Sequence, residues 1–290
     1  MRTEREMFNL ILTTAESDPR IRAVYMNGSR CNPNADKDIF QDYDIVYVVY
    51  ETQPFIEDKT WIDRFGERLY MQYPEDGVLF PADTSVCYGW LIQFADGNRL
   101  DLHVQTLAHT LENIQKDRLC KILLDKEGIL PVMPPATDAD FYVTRPEEVH
   151  FLACCNEFWW CLNNVAKGLW REEIPYVQDM LNLYIRPQLV RLLSWQIGLE
   201  HDFAVSIGKC GKYMKRYLPQ RQWQMFLDTY ADSQIENLWN AVDTMCQLFD
   251  ETARGVAREF GFRYDTEEAL NSWGYLKHVR YLPKDVQSIY

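Results

Sequence analysis

A chain of 290 residues that is 47% hydrophobic and 14% aromatic is long enough to build two cores. Its net charge of −13 and pI near 4.9 argue against nucleic acid as a partner, because binders of polyanions carry a basic stripe, and favour a cationic small substrate. No stretch approaches the roughly 18 uncharged apolar residues of a membrane span, and Met1-Arg2-Thr3-Glu4-Arg5-Glu6 lacks a signal peptide's apolar core, so the expected location is cytoplasmic.

The chain opens with a predicted helix. Thr3 and Glu6 have capping-box spacing, Met7, Leu10, Ile11 and Thr14 form its apolar stripe, and Asp18-Pro19 stops it. Ile21 to Met26 reads as a strand running into Gly28-Ser29-Arg30. A glycine there lets backbone N–H groups approach an anion, and Ser29 and Arg30 add donors. Next comes Asp42-Tyr43-Asp44 at the mouth of the β-branched and aromatic run Ile45 to Val49. Residues i and i+2 of a strand share a face, so Asp42 and Asp44 point the same way. Two like charges at the edge of a core call for a cation, and oxygen ligands favour magnesium.

Phe55 to Arg68 reads as a helix with Phe55, Trp61, Ile62 and Phe65 inward, and Leu69 to Gln72 as a short strand. Tyr73-Pro74-Glu75-Asp76-Gly77 and Phe80-Pro81 mark a loop. A hairpin follows, Cys87–Phe94 and Arg99–Gln105 around Ala95-Asp96-Gly97-Asn98. Leu100, Leu102 and Val104 alternate with Arg99, Asp101 and His103, which places Asp101 on the polar face as a third candidate carboxylate. A helix over Leu107–Asp117 and a strand over Leu119–Leu124 complete an α+β domain with a small mixed sheet.

Pro131, Pro134, Pro135 and Pro146 lie among small and polar residues, so the domain boundary is set there, giving domains at 1–135 and 136–290. The second domain is helical in period, with helices expected over Glu147–Leu169, Ile174–Gly198 with a break or kink at Pro187, Gln220–Tyr230 and Gln234–Phe260. The last thirty residues give no clear period. Glu157 lies in the aromatic run Cys155 to Trp160, where it either reaches a basic side chain or meets a cationic ligand in a cleft. Lys167 and the cluster Lys209, Lys212, Lys215 and Arg216 are the candidates to reach polyphosphate, the last two reading better as surface charge. Eight cysteines without C-x-x-C, and histidines isolated at 103, 109, 150, 201 and 278, predict reduced thiols and no zinc site.

G-S after a strand is usually a turn, and D-x-D alone usually a solvated strand end. Together, in this order and followed by a lone acid on a third strand, they resemble the layout of the polymerase-β-like nucleotidyltransferases. Six segments narrow the resemblance to the aminoglycoside 6-adenylyltransferases, which modify streptomycin: Gly28-Ser29-Arg30, Phe40-Gln41-Asp42-Tyr43-Asp44-Ile45, Pro74-Glu75-Asp76, Asp96-Gly97-Asn98 before Leu100-Asp101-Leu102, Cys154 to Trp159, and Lys212 to Leu218. The resemblance covers nearly the whole chain. It implies ATP as donor, magnesium as metal and a streptomycin hydroxyl as acceptor. It also implies a nucleotidyltransferase domain followed by a helical-bundle substrate domain, with the site between them.

On that reading Asp42, Asp44 and Asp101 are the metal ligands. Gly28 and Ser29, with Arg30 and with Lys167 or Lys212, hold the nucleotide. Asp76, Glu157, Trp159 and Trp160 meet the drug, whose guanidinium groups pair with carboxylates and stack on aromatics. Asp101 is the first candidate for general base and Glu157 the second. The rival readings are transfer to another aminoglycoside, a lincosamide or a protein hydroxyl, and a non-catalytic nucleotide-binding regulator. Oligomeric state is left open.

Overall fold

The computed structural model describes residues 1–79 and 81–290, so Phe80 of the Phe80-Pro81 loop lies outside the described residues. The chain divides into two compact units, Met1–Asp140 and Phe141–Tyr290. No helix among the described residues is long and apolar enough to cross a membrane.

The first unit is built on a mixed sheet. Its strands are β1 (Ile21–Asn27), β2 (Tyr43–Val49), β3 (Arg68–Gln72), β4 (Cys87–Phe94), β5 (Arg99–Thr106) and β6 (Cys120–Asp125), in the order β3-β4-β5-β2-β1-β6. The β2–β5 pairing is parallel and the others antiparallel. The period-2 alternation decides the faces. Ile45, Tyr47, Val49, Leu100, Leu102 and Val104 turn one way and are sealed by helix α1 (Glu4–Ser17), by Phe55 of the short helix α2 (Gln53–Glu57), and by Trp61 and Phe65. Tyr47 locks this layer by donating its hydroxyl to the carbonyl of Ile11 at 2.6 Å. The opposite face carries Asp44, Asp101 and His103, and its apolar part, including Tyr25, Val46 and Val48, is packed by Ile114 and Leu107 of the segment that begins as α3 (Leu107–Asn113).

The N-terminal capping box is formed as expected, with Thr3 and Glu6 exchanging hydrogen bonds. The expected helix over Phe55–Arg68 is broken. Asp58 accepts hydrogen bonds from the backbone N–H and hydroxyl of Thr60 (3.2 and 2.8 Å), a local turn that competes with the helix, and a 3₁₀ turn at Trp61–Phe65 follows. All four predicted inward residues are buried nonetheless.

The second unit is all helical: α4 (Glu148–Arg171), α5 (Ile174–Asp179), α6 (Arg186–Glu200), α7 (Gln220–Asp228), α8 (Ile235–Phe260) and α9 (Thr266–Arg280). A π-helical stretch, Met180–Ile185, joins α5 to α6 with Arg186 N–H bonded to the Leu181 carbonyl, so the irregularity expected at Pro187 takes the form of a widened turn just before it. Phe158 of α4 and Phe249 of α8 stack with ring centroids 3.7 Å apart at the centre of this core. The last helix, unread in sequence, starts at Asp265, whose side chain accepts from the N–H groups of Glu267 and Glu268.

Candidate active site

Three carboxylates converge at one end of the β2–β5 pair. Register sets Asp44 directly beside Asp101, Asp42 precedes β2 by one residue, and one oxygen from each acid lies within 4.8 Å of the others. Burial, followed by the charges of Asp42 and Asp101, pushes the Asp44 carboxyl up to about 7, while Arg99 and His103 pull it down. Such a site needs a proton or a cation at neutral pH. Three hard oxygen donors, without sulfur or nitrogen, fit magnesium.

The backbone of Gly28 is pressed against this cluster. A Cβ at Gly28 would stand 2.0 Å from Oδ2 of Asp44, and the residue's φ of 76° is a conformation that side chains resist. The glycine read as an anion turn is thus also required by its own neighbour. Ser29, partly exposed, opens the 3₁₀ turn Ser29–Cys31 directly after it.

Arg30 has other work. Its guanidinium donates to the carbonyls of Asp42 (2.8 Å) and Gln41 (2.9 Å), lies 3.7 Å above the Tyr43 ring and reaches Glu4 at 3.5 Å. It holds the segment that presents Asp42. Asp138, buried in the first unit, tethers the same connection from the other side by accepting from Asn34 at 2.9 Å. Arg99, not singled out in the sequence, stands over the acids. It grips both oxygens of Asp101 (2.8 and 2.6 Å) and comes within 3.9 Å of Asp42. Asp101 is only 13% exposed.

Asp76 is exposed on its loop, accepts from the Tyr88 hydroxyl at 2.9 Å and faces Lys59 at 3.7 Å. In the second unit Glu157 is exposed on α4 and does not take the first of its expected courses, a basic side chain: it accepts from the Cys161 thiol at 3.4 Å. Trp160, i+3 from it, is 68% exposed, so acid and indole sit side by side on one helix face. Trp159 is corrected. It is 1% exposed, set edge-on to Phe158 and Phe249, and its indole N–H reaches Tyr264, which leaves it a core residue. Lys167 lines a cavity of about 320 Å³ with Trp170, Tyr275 and Leu282, and Lys212 is exposed beside the Tyr213 ring. His103 is not isolated: the fold sets it near Glu75 and Cys87.

A family model, that of the streptomycin adenylyltransferases, matches residues 1–279. The chain belongs to this family. It is therefore a nucleotidyltransferase, and the acid cluster lies in its sheet unit. Two proteins named aminoglycoside 6-adenylyltransferase are similar along most of their length. The one from Bacillus subtilis is 37% identical over 275 residues, 94% of this chain and 97% of its own. The one from Campylobacter jejuni is 38% identical over 264 residues, 91% of each. A crystal structure of an aminoglycoside 6-adenyltransferase from Bacillus subtilis, 33% identical, covers 97% of this chain and 100% of its own with a TM-score of 0.48. In this adenylyltransferase the three acids and the Gly28 turn that the sequence singled out lie together, and Arg99, which the sequence did not single out, is in contact with them. The i, i+2 rule that pairs Asp42 with Asp44 also pairs Arg99 with Asp101.

Proposed function

We propose that this enzyme transfers AMP from ATP to a hydroxyl of a cationic aminoglycoside, streptomycin at its 6-position, and thereby confers resistance to the drug. The convergence of Asp42, Asp44 and Asp101 beside Gly28 carries the reading. Names borne by its relatives supply the acceptor class, and the net charge of −13 suits a dicationic drug. Asp42, Asp44 and Asp101 are the residues that would hold magnesium, which when bound neutralises charge on the triphosphate and the departing pyrophosphate.

The chain's own contribution is positioning. Arg30 and the start of β2 fix Asp42 and Asp44. The Gly28-Ser29 turn offers backbone N–H groups and a hydroxyl to the β- and γ-phosphates, with Lys167 or Lys212 supplying further charge. Asp101 takes the acceptor's proton. Since Arg99 holds both its oxygens, that pair must open first. Glu157 remains the second candidate. Together with Trp160 it offers a guanidinium a two-point carboxylate contact and an aromatic face, and Asp76 offers a further carboxylate.

The test is mass spectrometry after incubation with ATP, magnesium and a panel of streptomycin, kanamycin, a lincosamide and a protein acceptor. A gain of one AMP on streptomycin, mapped to the 6-hydroxyl, is expected. Modification of another member of the panel with streptomycin untouched returns the acceptor to that class.

A further inference from the structure

A second constellation lies on the same sheet face as the aspartates, and the adenylyl transfer proposed above gives it no role. In the antiparallel β4–β5 ladder Cys87 is paired with Gln105 and Gly89 with His103, so Cys87 and His103 are diagonal neighbours on one face. Gly89 has no side chain, and the imidazole of His103 fills the space: a Cβ at Gly89 would stand 2.4 Å from its ring. The loop after β3 lowers Glu75 onto the pair. Its Oε1 is 3.5 Å from His103 Nε2 and 4.0 Å from Cys87 Sγ, and the three ligand atoms all lie within 4.8 Å of one another. The Glu75 side chain is 11% exposed, and its Oε2 is buried with no hydrogen-bond partner among the described residues.

A buried, unpartnered carboxylate oxygen is costly unless something positive reaches it. A tetrahedral ion with bonds of about 2.0–2.3 Å sets its ligand atoms about 3.3–3.8 Å apart, a spacing that small side-chain rotations reach from the present one. Charge also balances. A thiolate, a carboxylate and a neutral imidazole cancel a divalent ion, so the half-buried group as a whole is neutral. We propose that Glu75, Cys87 and His103 form a second metal site that takes a thiophilic divalent ion of the zinc class, distinct from the all-oxygen cluster of Asp42, Asp44 and Asp101. The donor sets divide the ions between them: sulfur and imidazole select zinc or cobalt, three carboxylates select magnesium. Binding displaces the thiol proton of Cys87 to solvent and leaves a fourth position for water.

The experiment uses the full chain, stripped with a chelator and held in saturating magnesium so that the aspartates are occupied. Cobalt(II) is added as the probe. One equivalent should produce a thiolate-to-cobalt charge-transfer band in the near ultraviolet, and zinc should abolish it by displacement. Cys87→Ser should remove the band, His103→Asn and Glu75→Gln should each weaken cobalt binding at least tenfold, and Asp42→Asn should leave the band in place. Circular dichroism establishes that each variant is folded. Zinc-edge X-ray absorption on the unaltered protein, which depends on no variant, should give one sulfur and otherwise nitrogen and oxygen neighbours. No band in the unaltered protein, a band that survives Cys87→Ser, undiminished binding in the other two variants, or a zinc shell without sulfur would each overturn the proposal.

Discussion

Asp44 is the residue on which stability and chemistry pull in opposite directions. Its carboxyl is raised from 3.8 to about 7, first by burial and then by Asp42 and Asp101. The folded metal-free protein therefore binds a proton that the unfolded chain has lost between those values, and stability contributed by the protonated group is lost as pH rises from about 4 to about 7. Thermal unfolding without magnesium should show that decline, and Asp44→Asn should flatten it. In the presence of magnesium the same substitution, like Asp42→Asn, should reduce turnover at least about a hundredfold, because each removes charge stabilisation in the transition state. Near-normal turnover in both would remove the metal assignment. On the proposed function, Arg99 would compete with a cation for Asp101. Arg99→Gln should accordingly lower the magnesium concentration that gives half-maximal activity, and a higher requirement would make the arginine an ally of the metal. Arg30→Ala should cost about 1–3 kcal/mol in urea unfolding through its lost carbonyl contacts, with ATP affinity little changed. A large loss of ATP affinity would restore it to the phosphate site.

At the scale of elements, the strands and the hairpin were legible because alternation and turn chemistry agree there. The acids followed from the same alternation. What could not be read depends on contacts between elements. The helix expected after Phe55 fails at the Asp58–Thr60 turn, α4 runs to Arg171 past a Gly168 that packs against Tyr176 and Val177, and Trp159 is core because of where α8 and α9 lie. Cys87 and His103 were half legible. A turn at Ala95 to Asn98 fixes the register that makes them diagonal, but Glu75 comes from a loop whose path no period encodes. Gly28→Ala tests the tightest junction between elements. With Asp44 Oδ2 2.0 Å from the added methyl group, both unfolding temperature and turnover should fall, and an unimpaired variant would show that β2 can retreat.

For the whole molecule, the net charge of −13 sets a field that attracts a dicationic drug. Affinity for streptomycin, measured by calorimetry with magnesium and a non-hydrolysable ATP analogue, should fall as salt rises, since exposed charges are screened within about 8 Å at physiological ionic strength. A derivative lacking both guanidinium groups should bind much more weakly. Equal affinity for streptomycin, that derivative and kanamycin would rule out recognition through those groups.

The parallel seam between β2 and β5 also bears on the order of assembly. Asp44 belongs to the β1–β2 ladder, with Gly28 and Asp42 one residue beyond its strands, and Arg99 and Asp101 belong to the β4–β5 hairpin, two pieces that close through nearby residues. Asp44 meets Asp101 only when the two join, across a separation of 57 residues (101 − 44), and such non-local parallel pairing is slow because a long loop must close first. A cation held by this cluster then binds the finished protein and not the species at the top of the barrier. Stopped-flow refolding and unfolding should show magnesium slowing escape from the native state while leaving the refolding rate unchanged. Faster refolding with the ion present would mean that the seam is already closed at the barrier, and that the cluster helps to nucleate the sheet.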